Sequence, residues 1–187
     1  QCNLSNDYFA LRALYLSTGG DRWADNTNWP GSVTFANNPT PPSGTDMGSW
    51  FGVSCDNTSS RITALFLGNN KLEGSIPADI NDLTDLASLY LNSNQLFGNI
   101  PNELRDFNKL RELGLHENQL SGSIPSSLGD LMTLESLFLF SNELSGSIPS
   151  EIGSLSNLRS LNLANNTIIG EIPSTFGNLN NLQRLTL

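Results

Sequence analysis

Little of this sequence is charged, and even less of it is positive. Lysine and arginine supply 9 residues against 18 of aspartate and glutamate, a formal net charge of −9 at pH 7. Only Lys71 and Lys109 are lysines. A chain this acidic repels phosphate, so nucleic acid and anionic membrane surfaces are excluded as partners. The acids are scattered and form no tail. Histidine is limited to His116 and cysteine to Cys2 and Cys55. That scarcity leaves no metal-ligand cluster and no cofactor signature. A serine-histidine-aspartate triad would have to use His116, and no nucleophile-elbow sequence accompanies it. Glu112 and Glu117 are the carboxylate pair open to a glycosidase reading. They read instead as surface charges, and the chain is read as a non-enzyme with no cofactor. No apolar run approaches the ~18 residues needed to span a bilayer, so this segment inserts into no membrane. No signal peptide is visible, and the chain starts at Gln1, as a processed protein or a fragment would.

Charged residues make up only 14% of the chain, so polar duty falls on Asn, Ser, Thr and Gly. These are arranged with a period. Segments starting at Ile62, Leu86, Leu110, Leu134 and Leu158 repeat every 24 residues without insertion, and a partial copy opens at Leu182. The units are therefore 62–85, 86–109, 110–133, 134–157 and 158–181, with 182–187 partial. The template is L-x-x-L-x-L-x-x-N-x-L-x-G-x-I-P-x-x-L-x-x-L-x-x. Leu89 and Leu91 lie two apart and so share one face of a short strand. The column Asn70, Asn94, Asn118, Asn142 and Asn166 sits where the chain leaves that strand. Amides there can bond backbone groups that no ladder satisfies, so this column is read as structural. Gly74 and its copies permit a bend, and Ile76-Pro77 and its copies bury an apolar residue and fix a turn. The rest of each unit returns along the outside as a 3-10 or helical turn. One unit cannot bury its leucines alone, and stacked units make a continuous core.

This pattern resembles the plant-type leucine-rich repeat, whose mark is L-x-G-x-I-P after the asparagine. Here it reads LEGSIP, LFGNIP, LSGSIP, LSGSIP and IIGEIP. The resemblance implies an α/β repeat fold, a right-handed leucine-rich-repeat solenoid. It would have a concave parallel sheet, a short second sheet, a 3-10 or irregular convex side and a helical N-terminal cap. Ile62, Phe107, Phe176 and Ile168 depart mildly from the leucine positions.

Residues 1–61 do not repeat and form the capping region. Leu4, Tyr8, Leu11, Leu14 and Tyr15 predict a helix over about 5–18, stopped by Gly19-Gly20. Prolines and glycines make 30–49 an irregular loop. The phrases ALRALYLSTGGDRWADNTNW and SWFGVSCDN are similar to caps of secreted or membrane-anchored repeat proteins of algae, diatoms and plants. In the plant cap pattern C-x-W-x-G-V-x-C, Trp50, Gly52, Val53 and Cys55 match, but Gly48 replaces the first cysteine. Beside that resemblance, Cys2 is expected to bridge to Cys55. Closing a loop of this length contributes about 4 kcal/mol in the chain-entropy model. The cysteine pair and three glycosylation sequons, at Asn3, Asn57 and Asn165, point to a secreted protein or the ectodomain of a longer membrane-anchored one. The last copy stops in its strand, so the chain is expected to continue or to self-associate end-on through this uncapped repeat.

The period-two rule locates a candidate surface. With Leu65 and Leu67 inward, Phe66 and its copies point out. Phe66, Tyr90, Phe138 and Phe140 then gather on the concave face, with Glu112, His116 and Glu117 among them and Gly114 as a dip. Exposed rings on a rigid sheet are typical anchors for a protein, peptide or glycan. The acids and His116 would set polarity and pH response. The edge carrying Phe97 and Ile169 is the alternative face. Competing expectations are an inhibitor of a secreted hydrolase, like the polygalacturonase inhibitors that share this repeat, or a structural and adhesive matrix protein. Ice binding would need a flat regular file of threonine, and the outward columns vary too much for that.

Overall fold

The computed structural model describes residues 5–31, 34–35, 46–56 and 58–187. Cys2, Asn3, Asn57 and most of the 30–49 loop lie outside the described residues.

Each repeat leaves its strand, turns through a second short strand, and returns over a 3-10 turn. The strands of the concave sheet are β2 (Ile62–Phe66), β4 (Ser88–Tyr90), β6 (Glu112–Gly114), β8 (Ser136–Phe138), β10 (Ser160–Asn162) and β12 (Arg184–Thr186), all parallel. Their register is one repeat per step, so Leu65, Leu89, Leu113, Leu137, Leu161 and Leu185 stand side by side. β1 (Val53–Cys55) pairs antiparallel with β2 and closes the N-terminal edge. A five-stranded second sheet is built from β3 (Glu73–Gly74), β5 (Gln95–Gly98), β7 (Gln119–Ser123), β9 (Glu143–Gly146) and β11 (Thr167–Ile168). Gly98, Gly122 and Gly146 sit there at φ 80, 77 and 77°, and Gly170 just past β11 at 91°, which L side chains rarely adopt. The convex side is a stack of 3-10 turns such as Asn102–Asp106 and Ser126–Asp130, each entered from a proline, Pro101 or Pro125, in extended backbone. The third residue of each turn points inward, and Leu104 and Leu128 are fully buried.

The core is a row of leucines that water does not reach: Leu89, Leu91, Leu96, Leu113, Leu115 and Leu120 are each 0% exposed. Burying one such side chain is worth about 2 kcal/mol over leaving it exposed. The cap is built differently. Helix α1 (Ser5–Ser17) ends before Gly19-Gly20 and packs on the 3-10 turn Ala78–Asp82. Tyr8, Tyr15, Trp23, Trp29, Phe35 and Trp50 are all buried and form one ring cluster. Tyr15 stacks on Trp29 with centroids 5.6 Å apart, and Trp23 and Trp50 each meet Trp29 at 4.9 Å. The indole N–H groups donate to Thr18 O and Phe51 O at 3.0 Å, so the polar atoms of Trp23 and Trp29 are satisfied.

Candidate functional site

The asparagine column holds the concave sheet at its C-terminal edge. Asn118 Nδ2 donates to Leu91 O, Leu115 O and His116 O at 3.0–3.2 Å, while its Oδ1 accepts from Leu96 N at 3.0 Å. Asn94, Asn142 and Asn166 make the same bonds, so each side chain ties its own repeat to the preceding one. Asn70 has no preceding repeat. It bonds Asp25 instead, accepting from Asp25 N at 2.6 Å and donating to Asp25 O at 2.8 Å. The cap thus completes the first rung. The residue before each asparagine, at 69, 93, 117, 141 and 165, takes a positive φ of 52–57°. This turns the chain out of the strand and places Glu117 at the rim.

The predicted rings fall into two groups. Phe66, at 46% the most exposed of them, stacks on Tyr90 with centroids 5.7 Å apart and planes at 24°. His116 stacks on Phe140 at 4.4 Å and 18°, and meets Phe138 edge-on at 6.0 Å and 88°. Gly114 lies between the groups, and it is not a dip. The Tyr90 ring covers it so closely that a Cβ there would collide with ring carbons. Tyr90, Phe138 and Phe140 are half-buried because each ring leans on a neighbour.

Two carboxylates accompany the rings. Glu112 Oε2 accepts from Ser88 Oγ at 3.0 Å, and Glu117 Oε2 accepts from Ser93 Oγ at 2.6 Å. Burial raises the Tyr90 phenol above its usual range, helped by the charge of Glu112 and a hydrogen bond to it. His116 faces outward and is half-buried. Its Nδ1 is buried and has no hydrogen-bond partner among the described residues. Burial pulls the imidazole below its ordinary 6.5, against a weaker upward pull from Glu117, so the ring is neutral at pH 7.

Sequence reasoning missed the ionic edge beside this face. Arg111, Glu135 and Arg159 occupy one position in three successive repeats and pair at 2.8 and 3.3 Å. Lys109 pairs with Asp85 at 2.6 Å. Lys109, Arg111, Asp85 and Asp56 line a polar groove of about 380 Å³. The signal was present as charges alternating at the repeat length. On the second sheet, Phe97 and Ile169 are 49% and 71% exposed, three repeats apart. Cys55 ends β1, half-buried, while its expected partner Cys2 lies outside the described residues. Asn165 is exposed at the turn after β10, and its amide donates to Ser141 Oγ at 3.3 Å. No cluster of three metal-ligating side chains occurs among the described residues. None of their helices is long and apolar enough to cross a membrane.

Fold and sheet together define a solenoid repeat protein with aromatic rings on its concave sheet. The Leucine Rich Repeat family profile matches residues 61–83, 85–107, 109–131, 133–155 and 157–179. The chain belongs to that family. Solved structures of the same shape include a chain from the BIR3–SERK2 complex of Arabidopsis thaliana, 33% identical, covering 96% of this chain and 93% of that one with a TM-score of 0.75. The leucine-rich-repeat ectodomain of the receptor kinase SOBIR1 from Arabidopsis thaliana is 29% identical, with 98% and 93% coverage and a TM-score of 0.74. A plant ice-binding protein is 32% identical with a TM-score of 0.82, over 96% of this chain and 54% of that one. No curated protein matches significantly by sequence. The fold is that of plant receptor ectodomains, a family typically without enzymatic activity and commonly engaged in ligand or protein binding.

Proposed function

We propose that this chain is an extracellular recognition module that binds a protein or peptide on its concave face and performs no chemistry. The observation that carries this reading is the ring row: Phe66, Tyr90, Phe138 and Phe140 stand outward on a rigid parallel sheet, where the fold needs no aromatic. Large rings held in water on a rigid surface are the usual anchors of interfaces. The likeness to a chain of the BIR3–SERK2 complex, itself an assembly of two proteins, supports a protein partner. The test is selection of displayed short peptides on the chain, followed by Tyr90→Ala, Phe138→Ala and Phe140→Ala. Each substitution is expected to cost roughly 1–3 kcal/mol of binding. Unchanged affinity in all three moves the site to the Phe97–Ile169 edge.

The extracellular setting rests on two further readings. Cys2 and Cys55 form a bridge that fastens the start of α1 to β1, and Asn3, Asn57 and Asn165 carry glycans. Alkylation without reductant is expected to leave both cysteines unmodified, and two alkylated cysteines would refute the bridge. Treatment with an N-glycosidase is expected to lower the mass of secreted material, whereas an unchanged mass removes the glycans.

A further inference from the structure

The charges around the rings say what the partner must carry. Among the outward positions of the concave sheet the one basic residue is Arg184 on β12, three strands from Glu112, where it donates to Ser160 Oγ at 3.0 Å. His116 adds no positive charge to them, because its ring is neutral at pH 7. Only Glu112 and the rim residue Glu117 bring charge to the ring row, and both are negative. Neither has an ion-pair partner among the described residues. Glu112 accepts from the hydroxyls of Ser88 and Tyr90 and Glu117 from that of Ser93, all of them neutral groups. The carboxylates of the neighbouring edge are in the opposite condition. Asp85 is paired with Lys109, and Glu135 is shared by Arg111 and Arg159. The fold therefore neutralises the acids of the edge and leaves those of the ring face open.

Glu112 is also reachable. Its neighbours across the sheet are Ser88 on β4 and Ser136 on β8, so no large side chain stands over it in its own column. The ring groups flank it, with Phe66 and Tyr90 towards the cap and His116, Phe138 and Phe140 on the other side. An aromatic face carries negative potential and attracts cations, and the long apolar stem of a lysine or arginine packs on rings while its head stays polar. Resting on the concave-face reading, we propose that the partner segment presents a lysine or arginine flanked by apolar side chains. Its stem lies on Tyr90 and Phe138 and its head meets Glu112, while Glu117 adds negative charge at the rim. The net charge of −9 steers such a segment inward and makes its association salt-dependent.

The test uses the whole chain and the displayed short-peptide library. Selected sequences are expected to be enriched in lysine or arginine next to aromatic or aliphatic residues. The best of them, made as a synthetic peptide, is expected to lose about tenfold in affinity on Glu112→Gln/Glu117→Gln. Replacing its cation with methionine should cost a similar factor, and the two changes together should cost little more than either. The urea midpoint of the double variant checks that the fold is intact. Enrichment of acidic or uncharged peptides overturns the proposal. So does a peptide indifferent to the glutamine variant but weakened by Tyr90→Ala, an outcome that leaves the concave reading standing. A peptide indifferent to Tyr90→Ala, Phe138→Ala and Phe140→Ala removes both, as does the absence of any enrichment.

Discussion

The cap and the repeats solve one problem, burial of an apolar row, with different materials. The repeats use leucine in register and an asparagine that satisfies the backbone of two neighbours at once. The cap uses six buried rings that occur once each. A repeat is supported on both sides by copies of itself, whereas the cap is supported on one side only and must imitate a repeat. It does so through Asp25, which takes the place of a preceding repeat beneath Asn70, and through Asp7, whose Oδ2 accepts from Ile62 N at 2.9 Å. Redundancy makes a solenoid tolerant along its length, and a structure made from unique parts has no such reserve.

The sharpest way to break this contrast is Trp29→Ala. It removes the ring that touches Tyr15, Trp23 and Trp50 and should cost about 3–5 kcal/mol. Hydrogen exchange is expected to rise across α1 and β1 first, while repeats three to five stay protected. Equal loss of protection over the whole chain would show that cap and repeats form one unit. Asn118→Ala should cost about 2–4 kcal/mol, because three carbonyls and one N–H lose their partner at once. Here urea unfolding is expected to stay a single step with a lower midpoint. A midpoint unchanged from the parent would remove the asparagine from the account.

Two titrations compare the junction with the face. Burial raises Asp7 above 3.8, against its hydrogen bond from Ile62 and the charge of Arg61 at 2.9 Å. A raised carboxyl contributes stability below the unfolded value and loses it as pH climbs through the folded one. The parent should therefore gain on Asp7→Asn as pH falls towards 3.8. A gap that is constant with pH in urea titrations would contradict this. His116 runs the other way. Its folded value is lowered, so its contribution is present above 6.5 and is lost as pH falls through the depressed value. His116→Phe keeps the stack on Phe140 and should remove that acid loss. A variant that loses stability over the same interval as the parent would place the titration elsewhere, although His116 is the only histidine. The smallest expected effect is zero: the chain should show no thermal hysteresis in freezing assays. The outward column runs Phe66, Tyr90, Gly114, Phe138 and Asn162, which is no flat file. Measurable hysteresis would align the chain with the ice-binding structure it resembles.

The repeats were legible in the sequence because each residue is fixed by a period. Leu113 must face inward if Leu89 and Leu137 do, and the column of outward residues follows without further information. The rings of the face were found that way. Their pairing was not, because leaning depends on rotamers: Tyr90 folds over Gly114, and His116 turns onto Phe140. The cap was legible only as a helix and a loop. Trp23, Trp29 and Trp50 carry no period, so nothing in their spacing says that they meet. The ionic edge was overlooked for a related reason. Arg111, Glu135 and Arg159 are 24 residues apart, which places them side by side, but which charges pair depends on the rotamers of long side chains.

The central claim is that leucine and asparagine make the fold while the outward rings do the binding. Hydroxyl-radical footprinting of the chain with and without its best selected peptide tests this most directly, because it reads side chains one by one. Oxidation of Phe66, Tyr90, Phe138 and Phe140 should fall in the complex while Phe97 and Ile169 on the second sheet stay as reactive as before. Protection of Phe97 and Ile169 with the four rings unchanged would contradict the account.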